Sequence, residues 1–250
     1  MNYFAIQERY HTRCGAFDIS TEIENENRSI TYINTNRFTA HTLYSEKLRF
    51  EEFSDKIREL YYLLFGNHDV MAMYTNGLPQ TEAEFTNRII TQSLRSKHNY
   101  PFSAFIIEDN ESGDVVGYEI INDGTSDNAG DISYLISKKY HRSAGMKDVG
   151  YENVGALIWG YGLELYSQGA SINQKYNVAK KCFEDGAEFK KIEPTVDIRN
   201  IASIKILENL GFTQVKQVEK FGHQRYEYVL DYTEMDSIGL RGEHNDLNNI

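Results

Sequence analysis

Asp197 to Phe212 reads D-I-R-N-I-A-S-I-K-I-L-E-N-L-G-F, and the rest of the chain is read outward from this stretch. Ile201, Ile204, Leu207 and Leu210 recur at helical spacing, and Gly211 stands where a helix closes on glycine. Asp197 and Asn200 lie just ahead of the helix, where short polar side chains accept hydrogen bonds from unpaired backbone N–H groups. Ile192 to Val196 reads as a short strand before it, with Pro194 marking an edge or a bulge. Phe212 to Val218 reads as a return strand. Strand, capped helix and strand make one compact unit.

Upstream, Phe53 to Phe65 carries Phe53, Ile57, Leu60, Tyr61 and Leu64 on one helical face and stops at Gly66 and Asn67. An irregular stretch follows, and then a second helix announced by Thr81 and Glu84 at capping-box spacing. Three strands come next: Phe102 to Ile107, Val115 to Ile121 and Asp131 to Ile136, separated by E-D-N-E-S-G-D and N-D-G-T-S-D-N-A-G turns. Tyr151 to Tyr166 predicts a helix, although Gly155, Gly160 and Gly162 each cost about 1 kcal/mol relative to alanine. Residues 167–188 read as an insertion with a short helix from Asn173 to Phe183. Tyr226 to Leu230 is the final strand. Two helices followed by a strand meander predict an α+β fold. Residues 1–37 read as an N-terminal extension, with strands at Tyr3 to Gln7 and Ser29 to Ile33, 38–232 as the domain, and 233–250 as a polar tail.

The chain has 250 residues and a net charge of −11. That balance argues against nucleic acid, whose phosphates need Lys and Arg, and suits a cationic acceptor. Two cysteines far apart, Cys14 and Cys182, argue against a disulfide framework or a zinc site, so no metal is expected. No signal peptide opens the chain and no apolar run is long enough to span a bilayer, so no membrane partner and a cytoplasmic location are expected. H-E-x-x-H, G-x-S-x-G and Walker patterns are missing.

N-I-A-S-I-K-I-L-E-N-L-G-F resembles the C-terminal motif of the GNAT superfamily of N-acetyltransferases, in its ribosomal-protein N-acetyltransferase (RimJ/RimL) branch. Asn200, Ser203, Leu207, Glu208, Gly211 and Phe212 fall in register with that branch's N-x-x-S-x-x-x-L-E-K-x-G-F. The resemblance covers roughly Thr42 to Tyr232. It implies the GNAT acyl-CoA N-acyltransferase fold, a mostly antiparallel, splayed sheet flanked by helices, with acetyl-CoA as cosubstrate. The activity implied is direct transfer of acetyl to a primary amine, a protein N-terminus or a small cationic amine, by a monomer or homodimer. The alternative is a non-catalytic module of the same fold that binds acyl-CoA or a protein partner.

The resemblance also distributes roles. Leu135 and Ile136 end the strand whose backbone would pair with the pantetheine amides. The family's pyrophosphate loop, Q/R-x-x-G-x-G/A, corresponds to R-S-A-G-M-K-D-V-G-Y-E, which departs from the pattern by an insertion of about four residues. Its candidate contacts are Arg142, Gly145, Met146, Lys147, Val149 and Gly150, where backbone amides and a helix start would cradle phosphate. Asn200 would touch the pantetheine arm from the other side. Ser203 would protonate the departing thiolate, because Leu207 occupies the position where many GNAT enzymes carry a tyrosine. A thiol of pKa about 8.5 needs only a weak donor. The amine must be neutral to attack, so a carboxylate, or a water held by one, is required. Asp131, Glu119 and Glu227 are the candidates, and a backbone N–H near Ile136 would hold the oxyanion.

Overall fold

The computed structural model describes residues 16–25, 28–43, 49–97, 100–141, 149–177, 179–180 and 182–235. Three strands open it: β1 (Phe17–Asn25), β2 (Arg28–Thr35) and β3 (Phe38–Thr42). A 3-10 turn at Phe50–Glu52 leads to α1 (Asp55–Leu60), which runs on as a π turn (Tyr61–Phe65). Then come α2 (His68–Met71) and α3 (Glu82–Lys97). The meander is β4 (Ala104–Asp109), β5 (Val115–Asp123) and β6 (Ala129–Ile136). After it stands a long helical segment of α4 (Val149–Ala156), a π turn (Leu157–Gly162) and α5 (Leu163–Ser167). Four short strands follow: β7 (Ser171–Ile172), β8 (Lys175–Asn177), β9 (Cys182–Glu184) and β10 (Ala187–Glu188). The chain closes with β11 (Lys191–Ile192), β12 (Thr195–Asp197), α6 (Ile201–Asn209), β13 (Thr213–Lys220), β14 (His223–Asp231) and α7 (Thr233–Met235).

The main sheet has the order β1-β2-β3-β4-β5-β6-β11-β14-β12, with β13 also on β14. Its pairs are antiparallel except β6 with β11, which are parallel. Helices cover both faces. Phe65, Phe85, Tyr118 and Leu135 belong to the core under α1 and α3, whereas Phe105, Leu157, Ile158, Phe189 and Tyr228 belong to the core under α4. Each large side chain so buried contributes roughly 1.5–3 kcal/mol.

Local signals explain the helix ends. Thr81 and Glu84 form the capping box, with the Thr81 N–H donating to Glu84 Oε2 at 2.8 Å and the Glu84 N–H donating to Thr81 Oγ1 at 3.3 Å. α6 starts with the Ser203 N–H donating to Asn200 Oδ1 at 3.1 Å. It ends in a Schellman motif: Gly211 has φ +93°, its N–H reaches Glu208 O at 3.1 Å, and the Phe212 N–H reaches Leu207 O at 3.0 Å.

Several expectations change. Tyr3 to Gln7, Cys14 and most of the polar tail lie outside the described residues. β1 and β2 are strands of the main sheet, and β1 packs on the long helix. That packing accounts for one of the helix glycines, because a Cβ on Gly160 would fall 2.7 Å from a Phe17 ring carbon. Asn173 to Phe183 is not a helix: β8 pairs antiparallel with β9, and Asn173 takes φ +61° while its side-chain amide donates to Ser126 and Asp127 carbonyls. Ile192 to Val196 is broken at Glu193–Pro194 into β11 and β12. Ile201 is exposed, so the buried face of α6 is Ile206, Leu207 and Leu210.

Candidate active site

The break at Pro194 creates the site. β6 is paired along its length with β5, but on its other edge it meets β11 only at Ala129 and Gly130. The Glu193 N–H makes a last bond to Gly130 O at 2.7 Å. Beyond that point β12 pairs with β14 alone. From Asp131 onward, β6 therefore carries a row of backbone groups with no neighbouring strand among the described residues. A cleft opens between the diverging strands. Ile132, Ser133 and Tyr134 of β6 form one wall, and Thr195, Val196, Asn200, Ser203 and Leu207 form the other. Met73, Tyr74 and Arg225 also line it.

The structure thus brings Asn200 and Ser203 together on the first turn of α6, facing the open edge of β6. The approach to that turn is fixed by Asp197, which is 1 % exposed. Its Oδ1 accepts from the Arg199 N–H at 2.9 Å, and its Oδ2 lies 2.6 Å from Arg199 Nη2. The bond from Arg199 holds the Asp197 carboxyl below the usual range.

The three candidate bases separate sharply. Asp131 is half-buried where β6 loses its partner, and burial pushes its pKa up to about 6, with Lys220 and Arg225 pulling the other way. Glu227 is held by Lys216 at 3.1 Å. Glu119 is fully buried and has neither carboxylate oxygen hydrogen-bonded among the described residues; like Asp131 and Glu227, it is not one of the residues that line the cleft. It stands opposite Phe105 and Tyr134 in the sheet, and burial alone raises its pKa well above the ordinary glutamate value. A group sealed in this way does not take a proton from an acceptor in the cleft, so Glu119 is withdrawn as a base.

Leu135 turns its side chain into the core under α1 and α3, so only its backbone is available to a ligand. Ile136 ends the free edge. Val149 and Gly150 are buried and begin α4. Arg142, Gly145, Met146 and Lys147 lie outside the described residues. Arg225 and Tyr74 were missed by sequence reasoning. Arg225 carries a usable signal, a charged residue in the middle of the strand pattern H-Q-R-Y-E-Y-V-L; Tyr74 carries none, since only the tertiary fold brings its loop to the cleft.

A family model described as an acetyltransferase (GNAT) domain matches residues 47–213. Among curated proteins, none matches the chain. Solved structures share the fold at low identity. The ribosomal-protein-S5-alanine acetyltransferase from Vibrio fischeri superposes with a TM-score of 0.53 at 14% identity, covering 80% of this chain and 96% of its own. The spermidine N-acetyltransferase from Vibrio cholerae, solved with CoA and spermine, gives 0.52 at 12%, covering 78% and 96%. The microcin C7 self-immunity acetyltransferase, solved with acetyl-CoA and AMP, gives 0.54 at 13%, covering 79% and 93%.

Proposed function

The chain belongs to the GNAT acetyltransferase family, and from that premise we propose that it transfers acetyl from acetyl-CoA directly to a primary amine, a protein N-terminus or a small amine. The observation that carries this reading is the free edge of β6 from Asp131 onward, set across the cleft from Asn200 and Ser203. An extended chain carrying amides, such as the pantetheine arm, adds to such an edge as a further strand would. Asn200, already the cap of α6, meets that arm from the opposite wall.

Three tasks then fall to this chain. A backbone N–H on the free edge of β6 stabilises the tetrahedral oxyanion. The Ser203 hydroxyl donates to the thiolate as it departs; a weak donor suffices because the thiol's pKa is about 8.5. Asp131, ionised above pH of about 6, accepts the ammonium proton through a water. No covalent enzyme intermediate is needed.

The test has two stages. Thermal unfolding with acetyl-CoA, against free CoA and a plain nucleotide, measures binding: at a hundred times Kd the gain is about 2.7 kcal/mol. Thiol release in the presence of amines then measures turnover. Ser203→Ala cuts turnover while sparing the thermal shift. A chain that shows no shift with millimolar acetyl-CoA, or a Ser203→Ala variant with full turnover, removes the corresponding part of the proposal.

A further inference from the structure

Acetyl transfer by itself leaves one feature of the cleft unused. Arg225 on β14 is 7 % exposed and lines the cleft beside Tyr74 and Ser203. Two of its guanidinium nitrogens are held by one residue: Nε donates to Thr195 Oγ1 at 3.1 Å and Nη2 to the Thr195 carbonyl at 2.7 Å. Nη1 is buried without a hydrogen-bond partner among the described residues. A guanidinium oriented by two bonds and lacking its third partner is a preorganised anion receptor, because the cost of ordering and dehydrating it has been met before a ligand arrives.

The surrounding charges choose the anion. Asp197, the strongest opposite charge near Arg225, is occupied by Arg199. Asp131 also acts on Arg225 across the splay. A phosphate dianion meets both carboxylates, whereas a carboxylate brings a single charge suited to the one open nitrogen. We propose that the acceptor is a primary amine that also carries a carboxylate, with Arg225 holding the carboxylate and the amine turned toward Asp131. This rests on the acetyl-transfer reading above, and it runs against the chain's overall acidity, which by itself would favour a purely cationic acceptor. Nη1 sits within the cleft wall, beside the loop bearing Met73 and Tyr74. That loop is tied to the β13–β14 turn by His223 Nε2 donating to Asn76 O at 3.3 Å.

The experiment compares ω-amino acids with diamines of matched length: β-alanine against 1,3-diaminopropane, and 4-aminobutyrate against 1,4-diaminobutane. Binding to the full chain saturated with CoA is measured by calorimetry, and thiol release is measured with acetyl-CoA. At least one amino acid binds roughly tenfold or more tighter than its matched diamine, as a charge-assisted bond to a buried group requires, and Arg225→Gln abolishes the difference. Diamines that bind as tightly or tighter, a preference unchanged by Arg225→Gln, or no binding by any amino acid overturns the proposal. The parent comparison stands even if the variant does not fold. Selective binding without any thiol release sinks the catalytic reading and leaves the carboxylate site standing.

Discussion

Replacing Glu119 by glutamine removes the one fully buried, unpaired carboxyl among the described residues of the sheet, and its effect on stability follows from the proton count. Burial raises the folded-state pKa, so the contribution of Glu119 is whole at low pH and is lost as pH rises. Above about pH 4.5 the unfolded chain has released this proton while the folded chain keeps it. While that holds, the parent loses about 1.4 kcal/mol per pH unit relative to a residue that cannot titrate. Between the unfolded and the folded pKa, the parent's Tm therefore falls relative to the variant's by roughly 3–6 °C per pH unit for a chain of this size. Gln keeps the shape and leaves polar atoms in the same place, so the pH slope of the difference, rather than its size at one pH, isolates ionisation. Thermal unfolding of parent and Glu119→Gln at pH 5.5, 6.25 and 7.0 reads that slope. Parallel Tm curves would refute the reasoning, because they would mean that Glu119 carries the same charge folded and unfolded.

Two further outcomes follow from the site. Asn200→Ala removes the cap of α6 and lowers stability by about 1 kcal/mol, read by urea unfolding, whereas Asn200→Asp keeps a capping oxygen and loses much less. Turnover rises with pH through about 6 as Asp131 ionises, and Asp131→Asn flattens this limb of the pH–rate profile of kcat/KM; a limb that persists in the variant assigns the proton to another group.

What could be read in the sequence was whatever is settled between near neighbours in the chain. The cap of α6, its Schellman ending and the Thr81–Glu84 box are all decided within a few residues, and all three appear in the structure. Asn200 and Ser203 share that advantage, since the helix that presents them carries its own start and stop. The errors came where a distant partner decides. β1 is largely exposed and falls in the stretch between the two strands read for the N-terminal extension; its place follows from Phe17 and Ile19 lying against Gly160. Asn173 leaves helical geometry because Ser126 and Asp127 bind its amide. Arg225 and Tyr74 are far apart in the chain, and nothing local announces that they share a cleft. Glu119 looked like any polar strand residue, because whether a strand face is covered by a helix is not written in the strand.

β14 has a place in time as well as in space. It is the only described strand on which β12 and β13 pair, and it also flanks β11. Just beyond it, the Tyr232 hydroxyl donates to Ile158 O at 2.8 Å in the middle of the long helix. A chain made from its N-terminus at about 5–20 residues per second can form the meander and its helices early, but one wall of the cleft has no template until residues 223–232 have left the ribosome. The α6 half therefore cannot complete its strand pairing until β14 has been made, and a chain stalled before His223 lacks the strand on which β12 and β13 pair. The single tryptophan keeps the record of that event: Trp159 Nε1 donates to Leu210 O at 3.1 Å, so its emission reports the moment at which α6 docks.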